Sequence, residues 1–302
     1  RCVIGASIGI VLGPHDGDMA EDLIRNADLA LYAAKDAGRG CYRFFARDML
    51  EAAEDRRLLE QDLLDALDRG ELEVNYQPLV NAKTNVIAGF EALLRWNHPD
   101  RGRISPALFI PIAEETSLIA RLGEWTMRQA CVDAVTWPGD LRVAVNVSPI
   151  QFANPSLPQV VLSALAHSGL SPDRLELEIT ESVFIDGGAE AEATFATLKK
   201  IGVRLALDDF GTGYSSLGYL RSAPFDKIKI DQSFVRSVAD PASRNNAIIT
   251  AIVALARTLG METTAEGVES LDQLEVLRAL DVGLIQGYLY SLPVSAAAAM
   301  EM

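Results

Sequence analysis

Apolar positions along the chain recur with two spacings, every second residue or every third to fourth, and the switches between them mark out its elements. Residues 2–12, "CVIGASIGIVL", form an apolar run that predicts a buried strand; "PHDGD" turns; and 19–40 alternate at helical period until Gly38 and Gly40 stop them. "CYRFF" reads as a further strand. This β-α-β piece, residues 1–46, is too small to bury a stable core alone. From Arg47 to Asp68 leucines recur near i, i+4 and i+7 with charges between them, predicting a long amphipathic helix, so residues 47–70 form the boundary before a larger unit at 71–302.

That unit opens with two strand-like runs, 71–80 and 86–96, joined by "NAKTN", a connection suited to a hairpin. Strands are then predicted at 141–147, 175–180, 203–210, 225–231, 261–267 and 282–288, and helices at 104–115, 119–135, 158–169, 190–202, 243–260 and 271–280. Six βα units after a hairpin make about eight strands. The fold class is α/β, and the count closes a (β/α)8 barrel, with a doubly wound sheet as the other solution.

Composition narrows the chemistry. The 302 residues carry a net charge of −15, which leaves no field to hold long DNA or RNA by phosphate neutralisation. No apolar run approaches a membrane span, and Arg1 does not begin a signal peptide, so the chain reads as a piece of a longer one with no membrane contact of its own. Three widely spaced cysteines imply neither a disulfide framework nor a zinc knuckle and suggest a reducing compartment, a cytoplasmic location. The three histidines lie far apart. Any metal must therefore use oxygen ligands, which favours magnesium or manganese.

A βα barrel places its site where strands end and loops begin. Asn146 ends one strand, Glu178 and Glu181 the next; then come Asp208 and Asp209, Lys229 and Asp231, Glu266 and Glu269, and Gln286. Singly, each has a bland reading: Asp231 and Asn146 can cap following helices, and Lys229 can be a solvated edge charge, although Ile228 and Ile230 point it to the opposite face. Together, at successive strand ends, they are hard to explain as independent caps. Crowded carboxylates cannot all ionise beside one lysine, so a divalent metal, and more readily a pair, is expected. Two such ions define a clamp that activates water and stabilises the leaving oxygen of a phosphodiester, with Glu266 or Lys229 orienting or deprotonating the water.

"FEALLRW" (90–96), "NVSP", "EITE", "DDFGTGYSS", "IKID", "AEGVES" and "QGY" occur in this order. The set closely resembles the EAL-domain phosphodiesterases of the bacterial second messenger cyclic di-GMP, over about residues 55–295. The resemblance implies a TIM-like barrel with one early antiparallel strand, which the hairpin before Glu91 suits. It implies that Glu91, Asn146, Glu178 and Asp208 hold one Mg²⁺ or Mn²⁺, that Asp208 bridges to a second which Asp209 also contacts, and that Ca²⁺ inhibits. Glu266 corresponds to a second-site ligand or general base, Lys229 to the residue holding the attacking water, and Glu181 to the anchor of a regulatory loop, Phe210, Gly211, Thr212, Gly213, Tyr214, Ser215 and Ser216. Gln77, Leu94, Arg95, Asp231 and Glu269 correspond to dinucleotide contacts, and Gln286 to another residue of the metal-water shell beside the substrate. The same likeness implies a homodimer through the region near that loop.

The N-terminal piece, with "ADLALYAAKDAGRG" and "YRFF", is similar to the tail of a GGDEF diguanylate cyclase, but the Gly-Gly-acid-Glu-Phe stretch needed for GTP is absent from the chain. Departures from the EAL pattern are few: Thr116 and Ser117 stand where a glycine is common, and Ser270 where threonine is usual. A non-catalytic cyclic di-GMP receptor is the competing reading, and a magnesium-dependent lyase or aldolase barrel rests on fold alone.

Overall fold

The N-terminal apolar run makes less strand than its composition suggests. The computed structural model describes residues 5–186, 188–211, 223–240 and 243–302, and in it β1 spans only Ile8–Ile10. After α1 (Ala20–Asp36), β2 (Tyr42–Phe44) pairs with it in parallel. Helix α1 packs so close that a Cβ on Gly9 would come within 2.1 Å of the Ala27 carbonyl oxygen. The expectation of a buried strand fails: Ile8 is 52% and Tyr42 61% exposed, because a two-stranded sheet with one helix on it covers one face only. Helix α2 (Arg47–Ala66) follows as the long amphipathic helix expected there. The chain divides within α2 into two units, Arg1–Asp65 and Ala66–Met302.

The second unit begins with β3 (Leu72–Asn81) and β4 (Ile87–His98), an antiparallel hairpin turning through residues 82–86. There follow β5 (Gly102–Ile104), α3 (Pro106–Glu115), α4 (Ile119–Val135), β6 (Arg142–Val147), α5 (Pro149–Phe152) and α6 (Leu157–Ser168). Next come β7 (Leu175–Thr180), α7 (Val183–Asp186), α8 (Gly188–Ile201), β8 (Arg204–Phe210), β9 (Lys227–Ile230), α9 (Gln232–Val235) and α10 (Asn245–Leu259). The last elements are β10 (Glu262–Ala265), α11 (Leu271–Ala279), β11 (Leu284–Ile285), β12 (Val294–Ser295) and α12 (Ala296–Met300). Strands β4, β6, β7, β8, β9, β10 and β11 run parallel in that order, and β3 closes the ring antiparallel to both β11 and β4. The result is a closed eight-stranded barrel with its one antiparallel strand first, as expected.

Period-two alternation sorts the strand residues. Val143, Val145 and Val147, Leu175, Leu177 and Ile179, Leu205 and Leu207, and Ile228 and Ile230 all join one buried apolar cluster with the surrounding helices. The alternate residues face the barrel axis: Asn146, Glu176, Glu178, Ala206, Asp208, Lys227 and Lys229. Two departures from the EAL pattern fall at positions with defined local geometry. Ser117 sits at φ 62°, the left-handed region where glycine is preferred, and Ser270 caps α11 by accepting from the Gln273 amide.

Gly89 of β4 lies opposite Arg142 of β6, and a Cβ there would come within 2.4 Å of the Arg142 carbonyl oxygen. Gly89→Ala should cost about 1–3 kcal/mol by forcing these strands apart. Urea unfolding checks this, and an unchanged midpoint would show that the barrel absorbs the methyl.

Candidate active site

Strand alternation delivers one basic and several acidic side chains to the same end of the barrel. Lys229 of β9 is 1% exposed, and its Nζ donates to Glu178 Oε2 at 2.6 Å. The same ammonium lies 2.6 Å from Glu266 Oε1, 3.1 Å from Asp208 Oδ1 and 3.7 Å from Glu91 Oε2. Four acids from β4, β7, β8 and the segment after β10 thus converge on one cation. Asn146 Nδ2 donates to Glu91 Oε1 at 2.6 Å, and Gln286 Nε2 donates to Glu91 Oε2 at 2.5 Å and to Gln77 Oε1 at 3.0 Å.

Adjacent residues on a regular strand point to opposite faces, so Asp208 and Asp209 cannot both reach the mouth unless the strand is interrupted. It is. The pairing of β8 with β9 shifts register between Leu207 and Phe210, and Asp209 adopts φ 53°. This bulge with a left-handed residue, a conformation that aspartate tolerates better than most, turns the second carboxylate toward the first. One carboxylate oxygen each from Asp208, Asp209 and Glu266 then lie within 4.8 Å of one another.

The other candidates are placed as follows. Glu181 Oε1 accepts from the Gly211 amide at 3.1 Å, tying the end of β7 to the start of the segment after Asp209. Phe210 is buried and Gly211 has φ 95°, while Thr212, Gly213, Tyr214, Ser215 and Ser216 lie outside the described residues. Leu94 and Arg95 line a cavity of about 300 Å³ that reaches Asn146 and Glu178 and continues to Pro106, Ile110 and Gly123. Asp231 accepts from the Ser233 amide at 2.9 Å, so one of its oxygens is used in capping α9. Glu269 is exposed beside that end of the barrel. The apolar cavity wall from α3 and α4 escaped the sequence reading, since nothing in a buried helix face marks it as a lining. Glu176 and Lys227 also escaped it, although they share the alternation of Glu178 and Lys229.

Residues 60–293 match the EAL domain, and residues 2–41 match the diguanylate cyclase GGDEF domain. The chain belongs to the EAL domain family. An uncharacterized signaling protein of Caulobacter vibrioides is 51% identical to it over 290 residues, covering 96% of this chain and 36% of the relative. MucR of Pseudomonas aeruginosa, named a bifunctional diguanylate cyclase/cyclic di-GMP phosphodiesterase, is 43% identical over 297 residues, covering 97% and 43%. A solved structure of the PaMucR phosphodiesterase in complex with c-di-GMP aligns at a TM-score of 0.77 and 41% identity, covering 80% of this chain and 99% of that one. The chain therefore spans well under half the length of these curated relatives. Among the described residues no helix is long and apolar enough to cross a membrane.

The charge balance of this EAL barrel explains the titration of its groups. Burial pushes Glu178 well above the ordinary carboxylate range, and the neighbouring Glu91 charge adds to it. Burial likewise raises Asp209, with help from Asp208. Burial opposes the charge on Lys229, but Asp208, Glu178, Glu266 and Glu91 outweigh it and raise the ammonium well above its usual value. Glu91 moves the other way: despite burial, the Lys229 charge and hydrogen bonds from Gln286 and Asn146 hold it below the usual range. Five carboxyls facing one ammonium fit a hard cation. No hydrogen-bond donor among the described residues is aimed at the buried Oε1 of Glu178, and the ligand atoms that the acids and Asn146 could offer a cation are oxygens.

Burial pushes Glu266 up to about 8, from an ordinary value near 4.5. Between those values the folded chain holds a proton that the unfolded chain has lost, so stability must fall as pH rises. In the presence of a chelator, the apparent Tm is expected to decline from pH 5 to pH 8 and the decline to flatten in Glu266→Gln. Differential scanning calorimetry would read it, and a chelated Tm rising over that range would refute the assignment.

Proposed function

We propose that the chain hydrolyses cyclic di-GMP to the linear dinucleotide pGpG. The observation that supports this best is the convergence of Glu91, Glu178, Asp208 and Glu266 on Lys229, with Asp209 turned in beside them. Glu91, Asn146, Glu178 and Asp208 would hold one divalent ion, and Asp208, Asp209 and Glu266 a second. When bound, Mg²⁺ or Mn²⁺ supplies the charge that makes water acidic and balances the leaving oxygen.

The chain's own residues do the rest. Gln286 and Asn146 fix both oxygens of Glu91, so its carboxylate is held in one orientation. Lys229 orients the attacking water and Glu266 takes its proton. Attack on phosphorus in line with the leaving oxygen breaks one of the two phosphodiester linkages and leaves a 5′-phosphate on the product. Arg95 and Leu94, with Gln77, Gln286, Asp231 and Glu269, hold the dinucleotide against the cavity beside Asn146. The same reading includes a homodimer formed near residues 208–216 and a cytoplasmic site of action.

Purified protein with Mg²⁺ or Mn²⁺ should convert cyclic di-GMP to the linear product, measured by chromatography. Glu91→Ala should lower kcat at least about a hundredfold, the scale of losing one transition-state-stabilising group. Ca²⁺, which takes more ligands at longer distances, should inhibit. Wild-type turnover by Glu91→Ala would overturn the reading, and tight binding without turnover in either metal would make the chain a receptor.

A further inference from the structure

Beneath the mouth the barrel holds a second buried ion pair that the reaction does not use. Glu176 and Lys227 are 1% and 2% exposed and lie 2.5 Å apart. Arg204 stands 3.4 Å from the other Glu176 oxygen and passes on to Glu262, which Arg142 also binds. A barrel interior is ordinarily filled with branched apolar side chains, and a buried pair gives no stability that such side chains would not. Its presence here calls for another reason.

The spacing supplies one. Glu176 precedes Glu178 by two residues on β7, and Lys227 precedes Lys229 by two on β9, so the pairs form stacked rungs roughly 6.6–6.8 Å apart. Between Glu178 and Lys227 β8 places Ala206, in register with both, and the long side chains reach across it. Two glutamates facing two lysines at this spacing can pair in more than one way. A lysine's four-carbon stem is of the same order as the distance between rungs. If Lys227 were missing, Glu176 would keep, among the described residues, Arg204 at 3.4 Å, and Lys229 would be the next ammonium on the same face of the same strand.

We propose that Lys227 is a positioning residue: by saturating Glu176 it leaves Lys229 no acceptor at the lower rung and so holds that ammonium in the mouth. The kinetic consequence rests on the phosphodiesterase reading; the choice of pairing does not.

Crystal structures and kinetics of Lys227→Met and of Glu176→Gln/Lys227→Met test it. In the single variant Lys229 Nζ should move from Glu266 toward Glu176, and kcat should fall about tenfold or more with KM within about twofold, the signature of a group displaced from the reacting atoms. The double variant has no charge at the lower rung, so Lys229 should return and kcat recover to within about threefold of wild type. A purely structural pair would be rescued in stability as well, but it would leave Lys229 Nζ in the mouth of the single variant. If Lys227→Met does not fold, Lys227→Gln, which keeps a hydrogen bond to Glu176 but no charge, decides by the same shift of Lys229 Nζ toward Glu176. An unmoved Lys229 in the single variant, or equal loss in single and double, would overturn the proposal. Should wild type fail to turn over cyclic di-GMP, the phosphodiesterase reading falls, while the position of Lys229 in the variant structures still decides the pairing.

Discussion

One buried ammonium organises the barrel mouth. Lys229 is the point at which β4, β7, β8 and the segment after β10 meet through their acids. With Asp209, five carboxyls face this one charge, so full ionisation would leave four net negative charges in one barrel mouth. Coulomb repulsion at such separations exceeds what a folded domain can hold in reserve. The site therefore exists in a form that carries protons, cations or both, and the upward displacement of Glu178 and Glu266 is the visible part of that constraint. Glu91 escapes it because Asn146 and Gln286 add hydrogen bonds to the charge of Lys229, so two carboxyls a few ångströms apart are driven in opposite directions.

The barrel wall tolerates this interior because alternation keeps the two environments apart. The outward valines, leucines and isoleucines of β6 to β9 belong to the apolar cluster with the helices, while the charged residues of the same strands alternate with them and face the axis. Stability is drawn from the outer layer, which leaves the lumen free to be polar. The antiparallel β3 contributes in the same way, since Gln77 stands opposite Glu91 and accepts from Gln286, which extends the hydrogen-bonded network across the antiparallel part of the ring.

Much of this was legible in the chain itself. The hairpin, the count of strands and the polar residues at strand ends follow from local periodicity, which sequence reports directly. Burial is different, because it depends on partners: the "SIGIVL" run has the composition of a core strand, yet Ile8 is exposed where only one helix covers its sheet. The gathering of polar side chains at successive strand ends could be expected, and so could the capping of α9 by Asp231, but not that Asn146 is instead turned onto Glu91. The Glu176 and Lys227 rung was overlooked for a physical reason. Attention to strand ends selects the layer at the barrel mouth, whereas alternation extends the same face one step deeper.

The adjacent acids Asp208 and Asp209 show where local sequence stops being sufficient. Regular alternation sends neighbours to opposite faces, so the pair by itself predicts one carboxylate in the lumen and one among the helices. The register shift before Phe210 and the left-handed turn at Asp209 reverse that outcome, and both depend on β9 lying alongside. A residue in this conformation stores a small amount of strain, of order 1–3 kcal/mol, that surrounding contacts must hold. Here Phe210 is buried directly after the turn and the Gly211 amide is held by Glu181. The tether that closes the end of β7 thus also holds the residue two places after Asp209, and with it the turn that faces the second aspartate toward the first.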